Sequence, residues 1–86
     1  MKINVSKIES ILKKLKRKDQ VLFRATQKKI FQISQLKKEE INYFKNLNAP
    51  LSQYKRVHVK SFVLLFRVEG DTIFFDKFEH HDNAYT

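Results

Sequence analysis

Eighty-six residues without a cysteine set the scale of one domain, residues 1–86, with one modest core and neither disulfides nor thiolate metal sites. The longest uninterrupted apolar run, Phe62 to Phe66, is far short of the roughly 20 residues of a membrane span, and the N-terminus has no apolar signal-like stretch, so the expectation is a cytoplasmic protein that does not engage a membrane. The net charge of +9 lies wholly in residues 1–50, which hold 13 Lys/Arg against 4 Asp/Glu; this favours a polyanionic partner over the plainer alternative of a solvated, lysine-rich helical surface.

Ile3 and Val5 share one face of a short stretch that reads as an edge strand. Ser6 followed by Glu9 has the spacing of a capping box, in which each side chain satisfies a backbone donor at a helix start. Ile8, Ile11, Leu12 and Leu15 then recur at i, i+3, i+4, i+7, an apolar helical stripe backed by a basic face of Lys13, Lys14, Lys16, Arg17 and Lys18. Asp19 is placed to cap a second helix, whose stripe is Leu22, Thr26, Ile30 and Ile33, flanked by Phe23 and Phe31 and closed by Leu36. Neither Gly nor Pro occurs before position 50, so nothing interrupts these helices, and a tight turn between them makes a helical hairpin. From Lys37 to Ser52 the pattern weakens. Glu39-Glu40-Ile41 suits a helical turn, Asn46, Asn48 and Pro50 suit a loop, and Tyr43, Phe44, Leu47 and Leu51 are expected to anchor it.

Residues 55–60 alternate strictly, with Val57 and Val59 on one face and Arg56, His58 and Lys60 on the other; this period of two marks a half-buried strand. Phe62–Val68 and Thr72–Phe78 read as two further strands, joined by Gly70-Asp71, a two-residue hairpin signal. The fold class is therefore α+β: a short N-terminal strand and a two-helix hairpin on one face of a three- to four-stranded antiparallel sheet. The opposite face is expected to carry Arg56, His58 and Lys60.

Three groups of residues bear on chemistry. Arg56, His58 and Lys60 in a row, spaced about 6.5–7 Å apart, suit a phosphate backbone as well as an ordinary polar strand face. His58, His80 and His81 have the side chain whose unperturbed pKa of ~6.5 suits proton transfer. If the third strand lies beside the first, His80 or His81 comes near His58, and two imidazoles flanking a phosphate act as base and acid in cleavage by an RNA 2′-OH. A bland polar tail is the alternative; the histidine spacing fits no zinc pattern. Tyr54 and Tyr85 are aromatics in a basic setting, suited to stacking on an unpaired base, with Tyr54 equally suited to packing at a strand end.

The stretch from Lys55 to Ile73, with the later His80-His81-Asp82-Asn83-Ala84-Tyr85 and the upstream Lys45-Asn46-Leu47-Asn48-Ala49-Pro50-Leu51, resembles the RelE/ParE superfamily of type II toxin–antitoxin toxins. The resemblance is residue by residue over about positions 45–86 and only in pattern over the helical half. It implies a small basic, metal-independent and cofactor-free endoribonuclease that enters the 30S A site of the ribosome, cuts mRNA and is blocked by a cognate small antitoxin. By position it implies contacts to the message from Arg56 and His58, with Lys60 just beyond, and from Tyr85; Arg56 and Tyr85 join His58 and His81 as the catalytic candidates, and Lys60, His80, Lys55, Tyr54 and the helical Lys13, Lys14 and Arg17 are RNA-binding candidates. His58 and His81 are the proton-transfer candidates. Two departures stand out. The family commonly has an arginine for the scissile phosphate where this chain has Val63, and a His-Arg pair where this chain has His80-His81. Val63 leaves room for two other readings within the resemblance: a ParE-like protein that inhibits DNA gyrase by binding, and a degenerate member that binds RNA or antitoxin without cutting.

Overall fold

The structure, a computed structural model, describes residues 1–83. The sequence-predicted order of elements is present: β1 (Lys2–Asn4), α1 (Glu9–Lys18), α2 (Gln20–Ser34), a one-turn α3 (Lys38–Ile41), β2 (Lys55–Val59), β3 (Phe62–Glu69) and β4 (Thr72–His80). Short 3-10 turns, Ser6–Ile8 and His81–Asn83, precede α1 and follow β4. The four strands form one sheet in the order β1-β4-β3-β2. The β2–β3 and β3–β4 pairs are antiparallel, whereas β1 runs parallel to β4, with Lys2 opposite Thr72 and Asn4 opposite Phe74. The sheet is thus mixed at one edge rather than antiparallel throughout. β1 and β2 are the two edges of the sheet, joined in the sequence through the helical hairpin.

The helical stripe behaves as its spacing dictates. Leu22, Thr26, Ile30 and Ile33 are all buried, and the Thr26 hydroxyl, fully enclosed, donates to the Leu22 carbonyl at 2.8 Å. They join Ile8, Ile41, Val59, Leu64, Phe66, Ile73, Phe75 and Phe78 in the main core between helices and sheet. Asp19 alone separates the helices; its carboxylate accepts from the Leu22 N–H at 3.1 Å, which satisfies one of the donors a helix start leaves open.

Three local expectations are not met. Ser6 does not cap α1: its hydroxyl and its backbone N–H both donate to Asn4 Oδ1, at 2.7 and 3.0 Å, and α1 begins only at Glu9. Glu9 pairs instead with Lys13 at 3.4 Å. Tyr43 does not anchor the loop, being 85% exposed, while Phe44 beside it packs edge-on against Phe66 at 5.5 Å. Lys60 does not extend β2. The strand stops at Val59, and Lys60 sits with positive φ (55°) in the two-residue turn to β3. The other hairpin turn is as read, with Gly70 at φ 61°.

The sheet's second face is not merely polar. Val63 and Leu65 are fully buried there, covered by Leu47 and Tyr54 from the loop that leads into β2. Between Leu65 and Phe66 the pairing with β4 slips by one residue, and Asp76 is the extra residue. Its buried carboxylate accepts from the Tyr54 hydroxyl at 2.9 Å and from Arg67 Nε at 2.7 Å. Arg67 also lies 4.2 Å above the Phe74 ring and reaches Glu69 at 3.1 Å. The bulge therefore fastens the covering loop, through Tyr54, to the two central strands.

Candidate nucleic-acid interface

The register of the sheet decides which side chains meet. His58 lies opposite Val63, and Val63 opposite Glu79, so these three form one row across β2, β3 and β4. Arg56, Leu65 and Lys77 form the next row along the same face. Val57 and Val59 point the other way into the main core, which fixes the outward direction of Arg56 and His58.

The two adjacent histidines at the end of β4 part company. His80 is the last strand residue, paired with Phe62, and its ring stands edge-on to the Phe62 ring at 5.6 Å, in line with the Phe62–Phe78 stack. His81 begins the 3-10 turn, and its N–H donates to the Ser61 carbonyl at 2.9 Å. That bond ties the end of the sheet back to the β2–β3 turn. It sets the His81 ring 5.8 Å from the His58 ring, the two planes 31° apart. Asp82 stands between the histidines, 3.5 Å from His80 Nδ1 and 3.8 Å from His81 Nδ1. Of the two partners expected for His58, His81 is the one brought to it.

Both rings are solvent-exposed, so a ligand group arriving from the open face meets both imidazoles. Arg56, also exposed, lies one row away and lines a hollow of about 300 Å³ with Leu47, Asn48, Ala49, Pro50 and Leu51. The arrangement offers two imidazoles and a guanidinium on one open face. Among the described residues no group of three or more His, Asp or Glu side chains is placed to hold a metal ion.

Other expected contacts are placed elsewhere. Lys55 donates from Nζ to the Phe44 carbonyl and to Asn46 Oδ1, both at 2.8 Å, so its ammonium secures the loop rather than joining the row of Arg56 and His58. Tyr54 is committed to Asp76, and burial, with the Asp76 hydrogen bond and charge adding to it, raises its phenol pKa above the ordinary value. The Asp76 hydrogen bond likewise raises the Arg67 pKa. Lys13, Lys14 and Arg17 are exposed on α1, whereas the helix packed against β2 is α2. Lys60 stands in the turn rather than in the strand row. Tyr85 lies outside the described residues. Val63, at the position of the family arginine, is fully buried.

The sequence reading missed Lys28 and Lys29. They line a groove of about 290 Å³ together with Gln32, His58 and Lys60. Lys29 sits at the margin of the α2 stripe, beside Leu22 and Ile33, with Lys28 farther round the same flank, but which strand α2 crosses is a long-range fact that spacing does not carry.

No family model matches the chain, and no solved structure matches it. Two curated proteins do. It is 42% identical over 81 residues to a Methanocaldococcus jannaschii protein described as "Putative toxin RelE4", covering 91% of this chain and 82% of that one. It is 34% identical over 87 residues to an uncharacterised Methanosarcina mazei protein, covering 93% of this chain and 92% of that one. With the strand, helical hairpin and terminal sheet in the order described, and identity of this extent across nearly the whole chain, the protein belongs to the RelE family of toxins.

Proposed function

We propose that this toxin is an endoribonuclease that cleaves mRNA on the ribosome, by acid–base catalysis from His58 and His81, and that a cognate small antitoxin holds it in check. The observation that carries the reading is the 5.8 Å pair of exposed imidazoles, with Arg56 on the same face. In the cleavage step one imidazole takes the proton of the 2′-OH as its oxygen bonds to the adjacent phosphorus. The other imidazole gives a proton to the departing 5′-oxygen. The products are a 2′,3′-cyclic phosphate and a free 5′-OH, and the two imidazoles exchange protonation states. Arg56 stabilises the charge that gathers on the phosphate oxygens. Lys77, opposite Leu65 in the row of Arg56, adds positive charge to the same face.

The test is primer extension on a message translated in a reconstituted system, with wild type, His58→Ala and His81→Ala. Cuts at the A-site codon with wild type, lost in both variants, support the reading; absence of cuts with wild type sinks it. One observation favours a second reading. A fully buried Val63 replaces the guanidinium that the family commonly aims at the scissile phosphate, which is what a toxin acting by binding alone would tolerate. In that case expression blocks DNA supercoiling by gyrase and leaves messages intact.

A further inference from the structure

We propose that the groove between α2 and the end of β2, lined by Lys28, Lys29, Gln32, His58 and Lys60, seats the RNA backbone next to the cleaved bond. The inference rests on the ribonuclease reading and gives it a direction for the strand. His58 belongs to both places: its ring faces His81 on the open side of the sheet, and the residue also lines the groove at the sheet's edge. A chain whose phosphate lies between the two imidazoles and which continues over the edge strand β2 passes directly into the groove.

Two independent features mark the groove as made for an anion. The first is charge. Lys28, Lys29 and Lys60 line it, and among the described residues none of the three is paired with a carboxylate. Like charges gathered without counter-charge repel one another and are neutralised when a phosphate backbone enters. The second is backbone conformation. Lys60 is the one non-glycine among the described residues with positive φ, at a turn position where glycine or asparagine sits without strain. The lysine there adds a cationic side chain to the groove's lining at the expense of local geometry. Gln32 adds an amide suited to a phosphate or ribose oxygen.

The occupant is RNA rather than an acidic peptide because the groove is continuous with His58 and lined by point charges. It offers Ala25 and Val59 but no exposed large apolar side chain that would anchor a protein partner. The test measures binding of a fluorescein-labelled single-stranded RNA by anisotropy across a salt series, on full-length protein in which His81→Ala keeps the RNA whole. The groove variant carries Lys28→Gln, Lys29→Gln and Lys60→Asn; asparagine suits the positive φ, so the turn is kept. A control variant carries Lys37→Gln, Lys38→Gln and Lys45→Gln, an equal loss of exposed charge in the connection between α2 and β2. If each lost phosphate contact lowers the slope of log K against log salt by about 0.7, as for single strands, the groove variant loses about 2 from the slope and the control loses little. Equal losses in the two variants, or an unchanged slope in the groove variant, overturn the proposal. So does a groove variant that binds RNA normally but no longer binds a co-encoded acidic protein, which assigns the groove to that protein. The readout is binding, so it separates from the parent reading: a protein that shows groove-dependent binding yet cuts no message keeps the groove and loses the nuclease.

Discussion

Restoring the family arginine at Val63 is the substitution that the resemblance invites, and the structure predicts that it breaks the protein rather than improves it. Val63 is fully buried on the second face of the sheet, between His58 and Glu79 in its row and under the Leu47–Tyr54 cover. A guanidinium there either stays under the cover, overpacking it at a cost of about 1–3 kcal/mol, or pushes the cover off. In the second case the burial of the valine side chain, worth about 1.5–3 kcal/mol, is lost as well. An ion pair with Glu79, opposite in register, offsets little of this, because a half-exposed pair contributes at most about 1 kcal/mol. Val63→Arg is therefore expected to lower the unfolding free energy by about 1–3 kcal/mol in the first case and by more in the second. A domain of this length has roughly 4–13 kcal/mol in total. Urea denaturation at neutral pH followed by far-UV circular dichroism, with linear extrapolation, measures the change directly. A Val63→Arg protein within 1 kcal/mol of wild type refutes the reasoning. It would mean that the cover opens freely, and gain of cleavage in such a protein would restore the position to the family's role.

Replacing His58 or His81 by Ala is expected to slow single-turnover cleavage of ribosome-bound message by about 10²–10⁴-fold each, the usual worth of a positioned acid or base, while His80→Ala, on the Phe62 side, changes it by less than about tenfold. The wild-type rate should show a bell-shaped pH dependence that loses one arm in each single variant; an unchanged bell in either removes that histidine from the chemistry. Arg56→Ala should slow cleavage without altering the shape of the pH profile, since it removes charge stabilisation and no proton. Tyr54→Phe is expected to change stability most visibly in alkali. The folded phenol titrates above its ordinary 10.0, so the folded state holds the proton longer. That contribution is complete below about pH 10 and is lost as pH rises through the folded pKa. Urea midpoints of wild type should therefore fall above pH 10 more steeply than those of Tyr54→Phe, and parallel curves would show that the Tyr54–Asp76 bond does not couple to folding.

What the sequence made legible was local. The alternation of Val57 and Val59 with Arg56 and His58, the Asp19 cap, the Leu22–Ile33 stripe and the Gly70-Asp71 turn each depend on a few neighbouring residues, and each is present. What it hid depends on competition or distance. Ser6 and Glu9 have the spacing of a capping box, but Asn4 takes the Ser6 hydroxyl first. Tyr43 and Phe44 are equal candidates by composition, and only the position of Phe66 selects Phe44. The second face was the largest omission, and there a signal did exist. Phe62-Val63-Leu64-Leu65-Phe66 is a continuous apolar run rather than an alternating one, and a strand of that kind is buried on both sides.

That second patch explains how so small a sheet holds an open site. Residues beside the proposed catalytic pair must be fixed without covering it, yet among the described residues no helix layers the face carrying His58 and His81. The fixing is done by the neighbours: Val63 and Leu65 sit under Leu47 and Tyr54, Tyr54 is held by Asp76, and Asp76 is held by the bulge in β4 and by Arg67. His58 is rigid because Val57 and Val59 on either side of it are packed against the main core. His81, beyond the last strand, is tied back to the sheet by the bond from its N–H to Ser61 in the β2–β3 turn. Lys60 occupies the same turn. The His81–Ser61 bond and Lys60 thus share one two-residue connection, and a change in that turn is expected to affect the proposed proton transfer and the proposed backbone binding together.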